Sequence, residues 1–291
     1  YDTMKYMPLT VNRIFHEGVT FENAFITTPL CCPSRASIFT GLYASNHGVH
    51  TNEDSLSQRT FVDVLHEQGY YTGLVGKYLN SWDPGLRRPE FDRWVEFARS
   101  KEDRSNETES RNAKSSYYID PRINVDGVWG KHPGYLTYIL RDYAVDFLRK
   151  ATQQQKPFML VFAPFAPHGP ADPAPEDKRL YASLAPHRPP SFNEEDLSDK
   201  PAWLRVGRPA KVSPAAMDEF RLKQIRSLKA LDRAIGDIVE ELKATGALDN
   251  TVIIYISDNG IQWGEHRLTK KNYVYEESIH VPMAIRFPMS A

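Results

Sequence analysis

Cys31 and Cys32 are the only cysteines in 291 residues, and they stand together in Leu30-Cys31-Cys32-Pro33-Ser34-Arg35-Ala36-Ser37-Ile38-Phe39-Thr40-Gly41. Pro33 and Ser34 suit a first helical turn, Ile38 and Phe39 supply apolar residues behind it, and Gly41 suits its end. The thiols therefore fall where unpaired backbone N–H groups and the helix dipole favour an anion or a thiolate. Arg35, four residues beyond Cys31, adds a permanent positive charge one turn away. The chemistry such a stretch suits is the handling of an oxyanion.

Simpler readings account for less of it. Paired cysteines are often small buried hydrophobes, which explains the thiols but not the residues behind them. A disulfide between sequence neighbours is strained. Zinc sites use thiolates two or more residues apart with further partners, and no C-x-x-C spacing occurs. A cysteine phosphatase loop places its arginine six positions after the nucleophile, where this chain has Ser37 or Ile38. None of these places Pro-Ser-Arg directly behind the cysteine.

The elements that must position this stretch follow from periodicity and turn chemistry. A short helix from Met7-Pro8 to Phe15 is closed by Gly18, and Val19–Phe21 and Ala24–Ile26 read as extended. Phe61 to Gln68 is helical and stops at Gly69, after which Tyr71 to Val75 is a strand ending in Gly76-Lys77-Tyr78-Leu79-Asn80. The pattern weakens from Ser81 to about Gly134, and the polar run 101–116 reads as a surface excursion. Leu136, Ile139, Leu140, Tyr143, Ala144, Phe147 and Leu148 form an apolar helical stripe, read as a packed core face. Pro157 to Ala163 is a continuous apolar run, the pattern of a strand buried on both faces of a parallel sheet, and it leads to Pro167-His168-Gly169-Pro170.

The proline-rich stretch 170–213 is too long for an ordinary connection, and reads as a wall or lid of a site, with plain disorder as the alternative. Ser213-Pro214 starts a helix that runs to Gly246; Thr251 to Ile256 is a second apolar strand, ending in Ser257-Asp258-Asn259-Gly260; Val281 to Phe287 is the last. Strands alternating with helices predict an α/β fold with a mostly parallel central sheet flanked by helices. Residues 1–291 fit one large domain.

Composition excludes several function classes. The net charge of −1 leaves no footprint for nucleic acid, and no apolar run is long enough to span a bilayer. The first residue is Tyr1 rather than methionine, which points to processing or trimming, and the triplet Asn106-Glu107-Thr108 fits a glycosylation acceptor.

In open α/β sheets, ligands bind beyond the carboxyl ends of strands. Lys77, His168 and the pair Asp258-Asn259 all fall there. Taken singly, a strand-end histidine is usually a structural hydrogen-bonding residue, a lysine is usually solvated and Asp-Asn-Gly is common turn chemistry. Their shared location beside Cys31 and Arg35 changes the reading. Asp258 and Asn259 offer hard oxygens suited to Ca²⁺ or Mg²⁺, and the cations suit a sulfate or phosphate group.

Cys31-Cys32-Pro33-Ser34-Arg35 resembles the C-x-P-S-R signature of the type I sulfatases, of the alkaline-phosphatase-like superfamily. Gly76-Lys77, Ala166-Pro167-His168, Ser257-Asp258-Asn259-Gly260, Gly264-Glu265-His266 and the K-x-x-x-Y-E run from Lys271 to Glu276 resemble further segments of that family, in order. The resemblance implies a formylglycine made from Cys31 by a maturation enzyme, and a divalent metal (Ca²⁺, with Mg²⁺ as the alternative) held by Asp258, Asn259 and the modified residue 31. It implies Arg35, Lys77 and Lys271 around the sulfate and His168 near the leaving oxygen. Leu30 to Arg35, Asn46-His47 and Gly76 to Asn80 are most similar to N-acetylglucosamine-6-sulfatases and heparan endosulfatases. A sulfated carbohydrate of the 6-O-sulfated glucosamine type is the expected substrate, with His47 and Asn80 lining its pocket. Family members work in secreted, periplasmic or lysosomal settings.

Departures are specific. The family's paired aspartate lies upstream of the segment matching Tyr1, Asp2 does not match it, and Leu79 stands where many members carry histidine. The C-terminal subdomain has no counterpart before Ala291, so the expectation is a single catalytic domain lacking the first strand and that subdomain. A phosphonate or phosphodiester hydrolase of the same superfamily, or a non-catalytic protein binding sulfated glycans, are the alternative readings.

Overall fold

The computed structural model describes residues 2–97 and 117–288, so the polar run 101–116 lies outside the described residues. The described elements in chain order are α1 (Pro8–Thr10), β1 (Val19–Phe21), α2 (Cys31–Thr40), α3 (Ala44–His47), α4 (Phe61–Glu67) and β2 (Tyr71–Gly76). There follow β3 (Arg93–Phe97), β4 (Arg122–Val125), β5 (Val128–Lys131), α5 (Leu136–Gln153), β6 (Phe158–Ala163), α6 (Ala202–Gly207) and α7 (Pro214–Ala244). The chain closes with β7 (Ile253–Ile256), β8 (Gln262–Trp263), β9 (Thr269–Lys270), α8 (Glu276–Ile279) and β10 (Met283–Arg286).

The main sheet has the order β5-β4-β3-β2-β6. Its centre is parallel, β3 with β2 and β2 with β6, the stretch 77–92 returning the chain from β2 to the start of β3 without a helix, whereas β4 and β5 add antiparallel to its edge. The β4–β5 hairpin turns through Asp126 and Gly127, both at positive φ, with the Gly127 N–H donating to Asn124 Oδ1 at 2.8 Å. The sheet is therefore mixed rather than mostly parallel, because an Asp-Gly turn sits inside a region whose periodicity is weak.

Helices cover both faces of this sheet. Leu74, Met159 and Val161 pack towards Cys32, Ala36 and Phe39 of α2 and Val62 of α4. Val75, Val95, Leu160 and Phe162 pack on the other face against the α5 stripe of Leu136, Leu140 and Ala144. The strand period of two thus serves two cores. α7 packs against α5 and buries Leu228, Leu231 and Val239 in a cluster that also takes in Ile253 and Tyr255 of β7 and Ala284 of β10.

The two apolar runs depart from the expectation of strands buried on both faces. β6 forms an edge of the main sheet, with every residue half-buried. β7 belongs to a separate antiparallel sheet of order β1-β10-β7, and Ile254 is 60% exposed. Hydrophobicity alone does not say which strand lies alongside, and here β7 takes β10 as its described partner.

Candidate active site

α2 begins at Cys31 and ends at Gly41, whose φ is +70°. Its first turn is anchored by Asn52, whose Oδ1 accepts from the Cys32 N–H at 3.0 Å. The two thiols have different surroundings. Cys32 is fully buried; its Sγ–H donates to the Asn52 carbonyl, and its sulfur accepts from the Asn80 N–H at 2.9 Å. Cys31 is 2% exposed and turns its sulfur to Lys271, whose Nζ lies 2.6 Å away. Lys271 Nζ also donates to Asn259 Oδ1 at 3.1 Å, and that oxygen is 3.9 Å from Cys31 Sγ.

Lys77 reaches the site because Gly76 lets β2 close on β6. A Cβ at residue 76 would lie 2.0 Å from the Ala163 carbonyl oxygen, and the φ of +121° suits only glycine. The Lys77 N–H then donates to the same carbonyl at 2.8 Å. Arg35 is committed to this turn: Nε donates to the Tyr78 carbonyl at 2.6 Å, Nη2 donates to the Lys77 carbonyl, and Nη1 lies 3.6 Å from Asp258 Oδ2. Arg35 is therefore a splint between the end of β2 and the end of β7 as much as a free charge.

His168 follows β6, between peptide bonds that are cis at Ala166-Pro167 and Gly169-Pro170. Its ring stacks on Phe165 with centroids 4.6 Å apart, and Tyr118 Oη donates to its carbonyl at 2.7 Å. Nδ1–H donates to the Gly169 carbonyl at 2.8 Å, which leaves Nε2 as the nitrogen free for chemistry. Burial lowers the His168 pKa, and Lys271 and Lys77 lower it further against the Gly169 bond and Asp258. Burial likewise lowers that of Lys77, with Cys31 and Asp258 favouring its charge and Arg35 and Lys271 opposing it. Burial would raise the Asp258 carboxyl, but Arg35, Lys77, Lys271 and His168 together hold it below its usual value. Each group feels the others' fields, so residues from five separate stretches occupy one place.

Asp258 and Asn259 are hard oxygen donors, right in kind for Ca²⁺ or Mg²⁺ but two where such a cation takes six or more. Among the described residues no group of three His, Cys, Asp or Glu side chains could hold a metal ion, and the Lys271 ammonium sits on the Asn259 oxygen. The described residues thus fit part of a cation's shell only.

His47 and Asn80 do not join the cluster by their side chains. His47 is buried, with Nε2 against Ser37 Oγ at 3.1 Å and Nδ1 accepting from the Val49 N–H at 3.0 Å. Asn80 is exposed, and its described bond to this region is from its backbone to Cys32. Asn52 and Tyr118, which anchor Cys32 and His168, stand in stretches with no chemical pattern to mark them.

The stretch 170–213 packs along the chain between β8 and α8. Glu265 accepts from the Trp263 N–H at 2.6 Å and pairs with His187 at 3.0 Å. His266 pairs with Glu194 and its ring lies 4.2 Å from that of Tyr275, while Asn193 N–H donates to the Gly264 carbonyl at 2.9 Å. The proline-rich stretch is thus fastened to the segment that carries Lys271.

Comparison with known proteins gives three concordant findings. A family model described as Sulfatase matches residues 2–291. The extracellular sulfatase SULF-1 homolog of Drosophila melanogaster is 33% identical over 98% of this chain and 26% of its own length; N-acetylglucosamine-6-sulfatase of Homo sapiens is 32% identical over 93% and 51%. The chain thus spans about a quarter to a half of these relatives. A solved structure in complex with its substrate D-glucosamine-2-N,6-O-disulfate superposes with a TM-score of 0.77 at 24% identity, covering 97% of this chain and 66% of its own.

Proposed function

The chain belongs to the sulfatase family, and on that footing we propose that the protein is a sulfuric ester hydrolase whose substrates are 6-O-sulfated glucosamine-type glycans. The observation that carries this reading is the approach of Lys271 Nζ to Cys31 Sγ at 2.6 Å, within the shared field of Arg35, Lys77, His168 and Asp258. The names of the human relative and of the glucosamine disulfate complex support the choice of sugar.

In this reading Cys31 is the residue converted to formylglycine, which supplies an aldehyde hydrate as the nucleophile towards sulfur. Lys77 and Lys271 bind sulfate oxygens and offset the charge that develops on them. Arg35 is a positioning residue, fixing Lys77 and Asp258 relative to one another. His168 presents Nε2 at the leaving oxygen; with Nδ1–H kept on Gly169, donation from Nε2 uses the doubly protonated ring, whose lowered pKa makes it a readier acid towards the departing alcohol. Asp258 and Asn259, with the modified residue 31, would contribute oxygens to a Ca²⁺ or Mg²⁺ ion, and that ion would supply further positive charge to the site.

Cys31 is 2% exposed in the fold, so a maturation enzyme acts on it before α2 is covered. A secreted, periplasmic or lysosomal location agrees with a relative named as extracellular. No helix among the described residues is long and apolar enough to cross a membrane.

The test uses the full-length protein coexpressed with a formylglycine-generating enzyme. Mass spectrometry of the peptide carrying residue 31 should show formylglycine, and Cys31→Ala should abolish aryl sulfate hydrolysis while Cys32→Ala retains a measurable part. The reverse pattern, or turnover of a phosphonate or phosphodiester in preference to aryl sulfate, would overturn the assignment.

A further inference from the structure

Trp203 is out of place for a folding residue. Of the five tryptophans it alone is exposed, at 51%, on α6, a six-residue helix whose buried side chain is Leu204. Its ring lies flat against that of Tyr273, with planes 8° apart and centroids at 5.6 Å. The two come from different stretches, 70 residues apart in sequence, so the pair is assembled by the fold. Beside it Val206 is 86% exposed on the same face of α6, and Val274 is 79% exposed.

The pair adjoins the reacting centre. Tyr273 is two residues beyond Lys271, so their Cα atoms are at most about 7 Å apart. Between them the Asn272 N–H donates to the Pro29 carbonyl at 3.0 Å, which ties this turn to the chain two residues ahead of Cys31. The stretch 200–211 carries Lys200, Arg205, Arg208 and Lys211 and no acidic residue. Lys200 is paired with Glu194 and Lys211 with Glu195, while Arg205 and Arg208 lie exposed.

A pyranose ring shows one face of polarised C–H groups, which the negative face of an aromatic ring attracts, and its sulfate substituents seek cations. We propose that Trp203 and Tyr273 form a stacking platform for a sugar residue next to the one whose sulfate enters the Cys31 site, with Arg205 and Arg208 meeting the anionic groups of the same chain. This rests on the glycan sulfatase reading and extends it: the protein is built to hold an oligosaccharide rather than a single sugar. Lys271 serves the bond that breaks, and the platform two residues later serves the length of the substrate.

The experiment measures binding of two probes to the full-length protein by calorimetry: glucosamine 6-sulfate and a 6-O-sulfated heparan-type tetrasaccharide. The wild type should bind the tetrasaccharide more tightly. Trp203→Leu, which keeps apolar cover over Tyr273 without a flat ring, should weaken tetrasaccharide binding roughly tenfold and monosaccharide binding less than about twofold. Trp203→Tyr should restore most of the loss, and Tyr273→Leu should repeat the pattern if Trp203→Leu fails to fold. Equal loss for both probes, no loss for either, or a wild type that does not prefer the longer probe would overturn the platform. Aryl sulfate hydrolysis decides the functional reading separately. A protein that binds the tetrasaccharide through Trp203 but cleaves no sulfate retains the platform and loses the activity; one that cleaves aryl sulfate with no Trp203 effect loses only the platform.

Discussion

Replacing Arg35 with lysine separates two roles that the position can have. If Arg35 acts as a charge towards the substrate, Arg35→Lys keeps that charge and costs little. The structure argues otherwise, because Nε and Nη2 are spent on the carbonyls of Tyr78 and Lys77, and Nη1 faces Asp258 at 3.6 Å. An ammonium is a compact donor and does not span two carbonyls and a carboxylate in the fixed fork of a guanidinium. With the Arg35 side chain 11% exposed, a carbonyl left without its donor costs about 1–3 kcal/mol. One of those carbonyls belongs to Lys77 itself, so the loss is felt where the proposed function places the sulfate. Expressed fully in transition-state binding, it lowers kcat/KM roughly 5- to 150-fold. The assay is steady-state aryl sulfate hydrolysis by the full-length protein, normalised to formylglycine content, with a thermal melt to show that the variant folds. Arg35→Lys within about twofold of wild type in kcat/KM would refute the splint.

Two further perturbations test the scaffold. Gly76→Ala puts a Cβ 2.0 Å from the Ala163 oxygen at a φ of +121°, so β2 must draw away from β6 and break the Lys77 N–H bond. Backbone strain of about 1–3 kcal/mol and a lost buried hydrogen bond of similar size should lower the melting temperature by several degrees, together with the activity; a melt indistinguishable from wild type would show that the close approach carries no weight. Burial opposes ionisation of Glu265, but bonds from His187 and the Trp263 N–H outweigh it and hold its pKa below 4.5. Its folded-state value lies below the unfolded one, so its stabilisation is complete above pH 4.5 and is lost as pH falls through the folded value. The melting temperature of wild type should therefore fall more steeply than that of Glu265→Gln as pH is lowered below 4.5, and parallel curves would contradict the assignment.

Sequence pattern reached the helices and the strand ends more surely than the sheet. The α5 stripe and the Ser213-Pro214 start of α7 hold where local periodicity and capping decide the matter, with Ser213 Oγ accepting from the Ala216 N–H. The Asp126-Gly127 turn carries hairpin chemistry, but the residues around it show too little hydrophobic alternation to mark the strands it joins. Which strand lies beside β6 or β7 is set by tertiary pairing, which an apolar run does not encode. Motif order brought Cys31, Lys77, His168, Asp258 and Lys271 to one list, and the fold brings them to one place. It could not show that Arg35 would be tied to two carbonyls, or that both ring nitrogens of His47 would be taken by Ser37 and Val49. Those are partners supplied by residues whose own types carry no message.

The balance of charge says what the cluster is for. Arg35, Lys77 and Lys271 are set around Asp258, and burial makes the charge of Lys77 costly to hold. A fold shaped by stability alone would dilute such a grouping with apolar side chains, since an excess of buried charge gains little and removing it is often neutral. Here the excess is fastened in place instead: Arg35 by two carbonyls, Lys77 by the Gly76 turn against β6, Lys271 by Asn259 and by the Asn272 bond to Pro29. Rigid support for an arrangement that costs stability is the mark of a site whose balance is completed by something else. With the cations in surplus, an anion is the group that would complete it, and one of those cations, the Lys271 ammonium, lies 2.6 Å from Cys31 Sγ.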